Sequence, residues 1–373
     1  MMLVRPGVLS HAERLWRQAQ TVHRRERFRE AAELYRQAAK AFARGSARWR
    51  ECRLQEAHCR RMLGQFRLAC RLYQSSRQGA EHSLQYADSL VGEAMALRAL
   101  GELARARTLL QQALRQYRQH GDEHGYAYTL WALGGTLRFL GQFDQALDTL
   151  TEALELYQEL EDPLGEGFVL CALGGLSRMR GEAELSLLFY EQAHRKLEQV
   201  GSVFGRAYAA CGIANAHRMF RQWGQAHRYF ATAQELYERL GDRVSYAYTL
   251  WGEAMAYLLQ GERKAARQRL TAAARLFRQT RDRRGFVYVV LARLQCAESL
   301  PSGNTRAAEL LQRALHEATE CGYRFEELHL RLLASQMGVE SLGVPLEQLR
   351  KAYRACGSAW LDSVAVEPPF NFP

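Results

Sequence analysis

The sequence predicts an all-α solenoid of about nine antiparallel helix pairs, and three observations predict it. A motif recurs every 40 residues, a second turn mark keeps step with it, and the apolar residues between the marks follow helical spacing. The motif is Gly101-Glu-Leu-Ala-Arg-Ala, repeated as Gly141-Gln-Phe-Asp-Gln-Ala, Gly181-Glu-Ala-Glu-Leu-Ser, Arg221-Gln-Trp-Gly-Gln-Ala and Gly261-Glu-Arg-Lys-Ala-Ala. The second mark is Gly121-Asp122, Glu161-Asp162, Gly201-Ser202, Gly241-Asp242 and Arg281-Asp282. Each copy ends one helical stretch and offers an oxygen cap or turn to the next, so each unit is two helices and two short turns. Leu130, Leu133, Leu137 and Leu140 step by three and four, as do Leu147, Leu150, Leu154 and Tyr157. One pair cannot cover both apolar stripes, so neighbouring pairs stack and an extended superhelix with polar ends is expected instead of a globule.

Taken in order, residues 1–11 form an N-terminal extension and residues 12–86 two units of shorter period. Arg25-Glu26-Arg27-Phe28-Arg29-Glu30-Ala31 and Leu63-Gly64-Gln65-Phe66-Arg67-Leu68-Ala69 carry the motif there. Residues 87–286 hold the five regular units. Residues 287–357 fit two degenerate capping units, the first with a turn remodelled by Leu300-Pro301-Ser302-Gly303-Asn304. Residues 358–373 form an extended tail, kept straight by its prolines and bearing two phenylalanines. The tail is expected to cap the last helix or to lie in the groove as a tethered ligand.

Composition agrees. Of 373 residues 47% are apolar and only 7 are proline, with few β-branched runs, which suits helices and argues against a sheet. No stretch reaches the roughly 18 apolar residues of a membrane span. The opening residues carry Arg5, His11, Glu13, Arg14 and Arg17 where a signal peptide would be apolar, so a cytoplasmic location is expected. The eight cysteines form no CxxC pair, reduced thiols are expected, and no His–Cys cluster has zinc spacing. A phosphate loop, a nucleophile elbow, HExxH and a dinucleotide fingerprint are all missing from the sequence. No catalytic residue, cofactor or metal is therefore assigned, and the expectation is a protein that is not an enzyme. The formal charge of +11 would suit a polyanion. Only four of the 51 basic residues are lysine, however, a skew that weakens the nucleic-acid reading.

Leu133-Gly134-Gly135 with Leu137, Gly141, Phe143, Ala146, Leu150 and Ala153 resembles the tetratricopeptide signature, in which small residues let two helices cross closely. Ala113, Ala193, Ala233 and Ala273 repeat the later small position. The period departs from the usual shorter unit, and only Pro163 stands where the family often ends a unit. The resemblance is closest to long-repeat scaffolds of the Pins and kinesin-light-chain kind, with the long-repeat sensor domains of bacterial regulators in the same group. It covers about residues 12–357. It implies a right-handed superhelical solenoid whose first helices line a concave groove, and a protein that binds peptides or proteins there.

Residues at one offset then form columns along the groove. Tyr128, Phe168, Tyr208, Tyr248 and Tyr288 make one, and Trp131, Cys171, Cys211, Trp251 and Leu291 another. Arg138 heads a third with Arg61, Arg98, Arg178 and Arg218, which breaks at Leu258. Offsets of zero, three and ten bring all three columns to one side of a helix. Arg98, Arg138, Arg178 and Arg218 are candidates for acidic side chains or a carboxylate, and Trp131, Trp251, Tyr128, Tyr208 and Tyr248 for apolar contact. Asn215, at the position of Gly135 and Gly175, is a candidate for gripping a ligand backbone, as the family resemblance implies. Gly134-Gly135 and Gly174-Gly175 are expected to thin the groove wall, although tight helix crossing accounts for the first of each pair equally well. The partner expected is a protein or peptide with acidic groups. The alternatives are a ligand-sensing regulator acting on an enzyme or transcription factor, and a nucleic-acid-binding array.

Overall fold

A computed structural model describes residues 10–80, 83–296, 305–364 and 366–373. Most of the N-terminal extension and the Leu300–Asn304 turn lie outside the described residues. Among the described residues there are helices and no strands. They run α1 His11–Arg24, α2 Phe28–Ala41, α3 Ala47–Met62, α4 Phe66–Ser76, α5 Leu84–Ala99 and α6 Leu103–His120. The array continues with α7 Glu123–Phe139, α8 Phe143–Glu159, α9 Pro163–Arg180, α10 Ala183–Gln199, α11 Val203–Met219 and α12 Trp223–Leu240. It closes with α13 Arg243–Leu259, α14 Arg263–Thr280, α15 Arg283–Gln295, α16 Thr305–Cys321, α17 Arg324–Gln336, α18 Leu346–Ala355 and the short α19 Trp360–Ser363. Nine antiparallel pairs, each odd helix with the even helix after it, stack into an all-α superhelical solenoid. No described helix is long and apolar enough to cross a membrane.

The second turn mark works as its chemistry requires. The side chains of Asp122, Asp162, Ser202, Asp242 and Asp282 accept hydrogen bonds from the backbone N–H of Gly125, Gly165, Gly205, Ser245 and Gly285, capping α7, α9, α11, α13 and α15. The residue just before each of these caps sits at positive φ, including Glu161 (52°) and Arg281 (56°), where glycine is the usual occupant. Consecutive pairs approach closely. A Cβ on Gly125 or Gly165 would lie 2.1–2.2 Å from the ring of Tyr117 or Tyr157, at the end of the preceding even helix. The odd helices are buried nearly all round while the even ones keep one wet face, so the odd helices form the inner wall.

The superhelix is not extended. It winds tightly enough for successive turns to touch, so the trough expected from the repeat becomes a partly enclosed chamber. Glu26, in the turn between α1 and α2, reaches the start of α11, accepting from the Phe204 N–H at 3.1 Å and the Ser202 hydroxyl at 3.3 Å. Gly64 abuts Val244 and Thr280, Gly101 abuts Cys321 and Tyr323, and Gly141 abuts Arg324 and Cys356. Ala359 N–H donates to the Arg180 carbonyl at 3.0 Å and Phe143 N–H to the Cys356 carbonyl at 3.2 Å. One apolar cluster joins residues of α1–α3 to residues of α11 and α12, and another joins α7–α9 to α15–α19. Burying these edges removes apolar surface that an open coil would leave wet.

Candidate functional site

The chamber has a volume of about 550 Å³ and is lined mainly by the odd helices. Its wall combines an aromatic collar with guanidinium groups. Tyr128, Phe168, Tyr208, Tyr248 and Tyr288 all line it, as do Trp131 and Trp251, and so do Arg61, Arg98, Arg138 and Arg178. The helical phase that relates the three columns thus places them on one inner surface.

The aromatic residues are also packing elements. Trp131 donates its indole N–H to the Phe168 carbonyl at 3.1 Å and stacks on Tyr128 with ring centroids 5.4 Å apart. Trp251 donates to the Tyr288 carbonyl at 2.9 Å and is only 4% exposed. Each tryptophan therefore ties its repeat to the next through the backbone, and Trp131 keeps more of its ring open to the chamber. Tyr128 points its hydroxyl at Met95 Sδ, 3.2 Å away, and Tyr248 donates to the cap carboxylate of Asp282 at 3.2 Å. Tyr208 faces the chamber beside Phe204.

The arginines are arranged by the glycines of the following repeat. A Cβ on Gly135 would fall 2.4 Å from Arg98 Nη1, and one on Gly175 would fall 2.3 Å from Arg138 Nη1. The second glycine of each pair is thus a seat for the arginine 37 residues before it, not an opening for a ligand. The first, Gly134 or Gly174, lies against Leu150 or Tyr190 of the paired even helix, which is tight helix crossing. Arg98 donates to the Ala132 carbonyl at 3.2 Å, and burial together with the Arg138 charge pushes its pKa down to about 10. Arg98, Arg138 and Phe139 form a stack in which both guanidinium groups lie 5.5–5.6 Å from the ring. The buried Nε of Arg138 and that of Arg178 have no hydrogen-bond partner among the described residues. Nor does any of Arg61, Arg98, Arg138 and Arg178 form an ion pair there.

Arg218 departs from the column. At the positions of Gly135 and Gly175 the next repeats carry Asn215 and Met255, so the seat is filled. Arg218 is fully buried, donates through Nε to Asn215 Oδ1 at 3.2 Å, and turns to the tail. There it donates to Asn371 Oδ1 and, at 2.8 Å, to the Phe372 carbonyl. Burial and the Arg178 charge push its pKa down to about 9. Asn215 donates to the Cys211 carbonyl at 2.9 Å, so both ends of its amide are engaged within α11. These bonds fix the amide at a position that lines the chamber. Leu258, where the column breaks, is buried.

Three inner-wall features were not singled out from sequence. Arg284 lies 4.1 Å from the Phe139 ring and is paired with the buried Glu326, its Nε donating at 2.6 Å. Phe139 is therefore faced by three guanidinium groups. Gln295 accepts from the Phe370 N–H at 2.5 Å. Only the 42-residue separation of Arg284 and Glu326 stands in the sequence, and it carries no local signal. All eight cysteines are free, and no group of three or more potential metal ligands occurs among the described residues.

A stacked-helix solenoid with a basic, aromatic inner chamber is a binding architecture. The tetratricopeptide-repeat model matches residues 85–159 and 126–199, and this part of the chain carries tetratricopeptide repeats. No curated protein sequence matches the chain. Among solved structures, a Rap protein complexed with competence and sporulation factor is 14% identical, with 92% of this chain and 99% of that chain covered and a TM-score of 0.64. The Rap conjugation gene regulator of plasmid pLS20, in complex with the Phr* peptide, is 12% identical over 83% and 96%, with a TM-score of 0.60. The apo form of the quorum sensor NprR from B. thuringiensis is 13% identical over 92% and 96%, with a TM-score of 0.52. At these identities the likeness is one of fold.

Proposed function

We propose that the chain is a non-enzymatic adaptor that senses a short peptide bearing acidic groups, held in the chamber, and passes the bound state to a partner protein. The observation that carries this is that Arg98, Arg138 and Arg178 line the chamber and form no ion pair among the described residues, although Glu26, Asp242 and Asp282 also line it and Arg284 is paired with Glu326. Arg98, Arg138 and Arg178 hold positive charge against aromatic walls, and an anionic ligand would relieve their mutual repulsion. The volume lies within the roughly 300–1,000 Å³ of sites that take small ligands, and a partly enclosed space favours a short segment over a folded partner or a duplex. One structural neighbour was solved with the Phr* peptide and another with competence and sporulation factor, which is consistent with this reading. The enclosure favours the sensing role over a passive scaffold, because a ligand inside touches several repeats at once and can bias how the turns dock. Solution in the cytoplasm belongs to the same proposal.

The test is affinity selection from a pool of random pentapeptides, with bound sequences read by mass spectrometry. The expected outcome is enrichment of Asp and Glu together with aromatic residues. Loss of that enrichment is expected in an Arg138→Glu/Arg178→Glu chain that melts normally, with selected peptides binding about tenfold weaker or worse. Equal recovery by both chains, or no acidic preference, would refute the proposal.

A further inference from the structure

We propose, building on the chamber reading above, that Arg218 and Gln295 form a further section of the peptide site, and that the chain's own residues 370–373 fill it as a displaceable built-in ligand. Among the described residues four hydrogen bonds hold this segment, and all run to the inner helices α11 and α15. Phe370 N–H donates to Gln295 Oε1, and Asn371 Nδ2 donates to the Arg218 carbonyl at 3.2 Å. Arg218 donates back to Asn371 Oδ1 and to the Phe372 carbonyl. Main-chain groups read at both ends and a side-chain amide read by donor and acceptor together are the pattern of extended-peptide recognition. A cap would instead bond to the helices it follows.

The tether points the same way. Residues 364 and 366–369 are not helical, are at least partly exposed, and make no backbone hydrogen bond with one another. Pro373 reaches the chamber itself, next in line to the arginine column. Among the described residues Arg218 is a buried cation whose hydrogen-bond acceptors, Asn215, Asn371 and Phe372, are all neutral. An acidic peptide that displaces the segment gives this guanidinium a charged partner, and the column gains a rung beyond Arg178. Against displacement stand the rings of Phe370 and Phe372, with Phe372 lying 4.4 Å from His329 and 5.6 Å from Trp360. The segment therefore acts as a shutter: in place, it limits the ligand to the Arg61–Arg178 stretch, and when released it opens Arg218.

The experiment uses the full chain and fluorescein-labelled hexaglutamate as probe, read by anisotropy over a range of salt. Phe372→Ala releases the shutter, and Asn371→Ala does so without touching the apolar seat. Either variant is expected to bind the probe about tenfold tighter than the wild type, with a steeper salt dependence, and adding Arg218→Gln is expected to cancel the gain. The free heptapeptide Glu-Pro-Pro-Phe-Asn-Phe-Pro, added in trans, is expected to restore wild-type affinity to Phe372→Ala. Equal binding by wild type and both variants would overturn the shutter while leaving the chamber reading intact. Unfolding of both variants would overturn it too, by making the segment an obligatory part of the core. Binding by none of the chains would remove the chamber reading and the shutter with it.

Discussion

Lowering the pH from 7 to 5 is expected to weaken the fold through His329, and the size of the effect follows from its surroundings. The ring is fully buried, packed against Phe325, Tyr353, Trp360 and Phe372 with centroids 4.4–5.7 Å away. Its Nδ1 shares a 2.6 Å hydrogen bond with the Tyr353 hydroxyl, and its Nε2 is buried without a partner among the described residues. Burial first, and the charge of Arg284 second, hold its pKa well below the ordinary 6.5. A depressed histidine favours the fold in its neutral form. Its contribution is complete above the unfolded pKa and is lost as the pH falls toward the folded one. At about 1.4 kcal/mol per pH unit, passing from 6.5 to 5 removes about 2 kcal/mol. The assay is urea denaturation of the wild type and of His329→Gln, which keeps a partner for Tyr353 but does not titrate. The difference in unfolding free energy between the two chains should move by about 2 kcal/mol in favour of the variant between pH 7 and pH 5. A difference that stays constant would mean that His329 takes up its proton as readily in the fold as in the unfolded chain, and the assignment of a neutral, desolvated ring would be wrong.

Other substitutions test other parts of the structure. Gly174→Ala places a Cβ 2.7 Å from the buried ring of Tyr190 and should cost about 1–3 kcal/mol by thermal melting, whereas Gly175→Ala meets the end of Arg138 and, at 3.0 Å, the Tyr190 hydroxyl, and should cost less while weakening binding of acidic peptides. Arg281→Gly relieves a left-handed residue at φ 56° and should raise stability by about 1 kcal/mol in chemical denaturation. Glu326→Gln leaves Arg284 buried beside the Phe139 and Tyr288 rings without its carboxylate, and should cost about 3 kcal/mol or more by the same measure.

The repeat, its caps and its columns were legible because each is a local or strictly periodic property. Asp122 caps the helix that begins at the next residue, and Arg138 shares a face with Tyr128 and Trp131 because ten residues bring a helix back to nearly the same side. Closure of the superhelix was not legible. It depends on small rotations summed over several repeats and on contacts such as Gly101 with Tyr323 and Gly181 with Trp360, which no local pattern records. Arg218 shows both cases. Its membership of the column was readable, while its capture by Asn371, 153 residues away, was not. One signal did stand in the sequence: the glycine that seats Arg98 and Arg138 is replaced by Asn215 and Met255 for Arg178 and Arg218, so the end of the column had to differ from its beginning.

The claim that inner-wall guanidinium groups receive an anionic ligand can be read directly at their Nε–H groups. Arginine Nε–H spectra of the full chain, assigned by single Arg→Lys substitutions and titrated with hexaglutamate, report each one separately. Saturable shifts are expected at Arg98, Arg138 and Arg178, the last two having Nε atoms that are buried and unpartnered among the described residues, before any change at surface arginines such as Arg105 or Arg228. Shifts confined to the surface arginines, with the chamber signals unmoved at saturation, would contradict it.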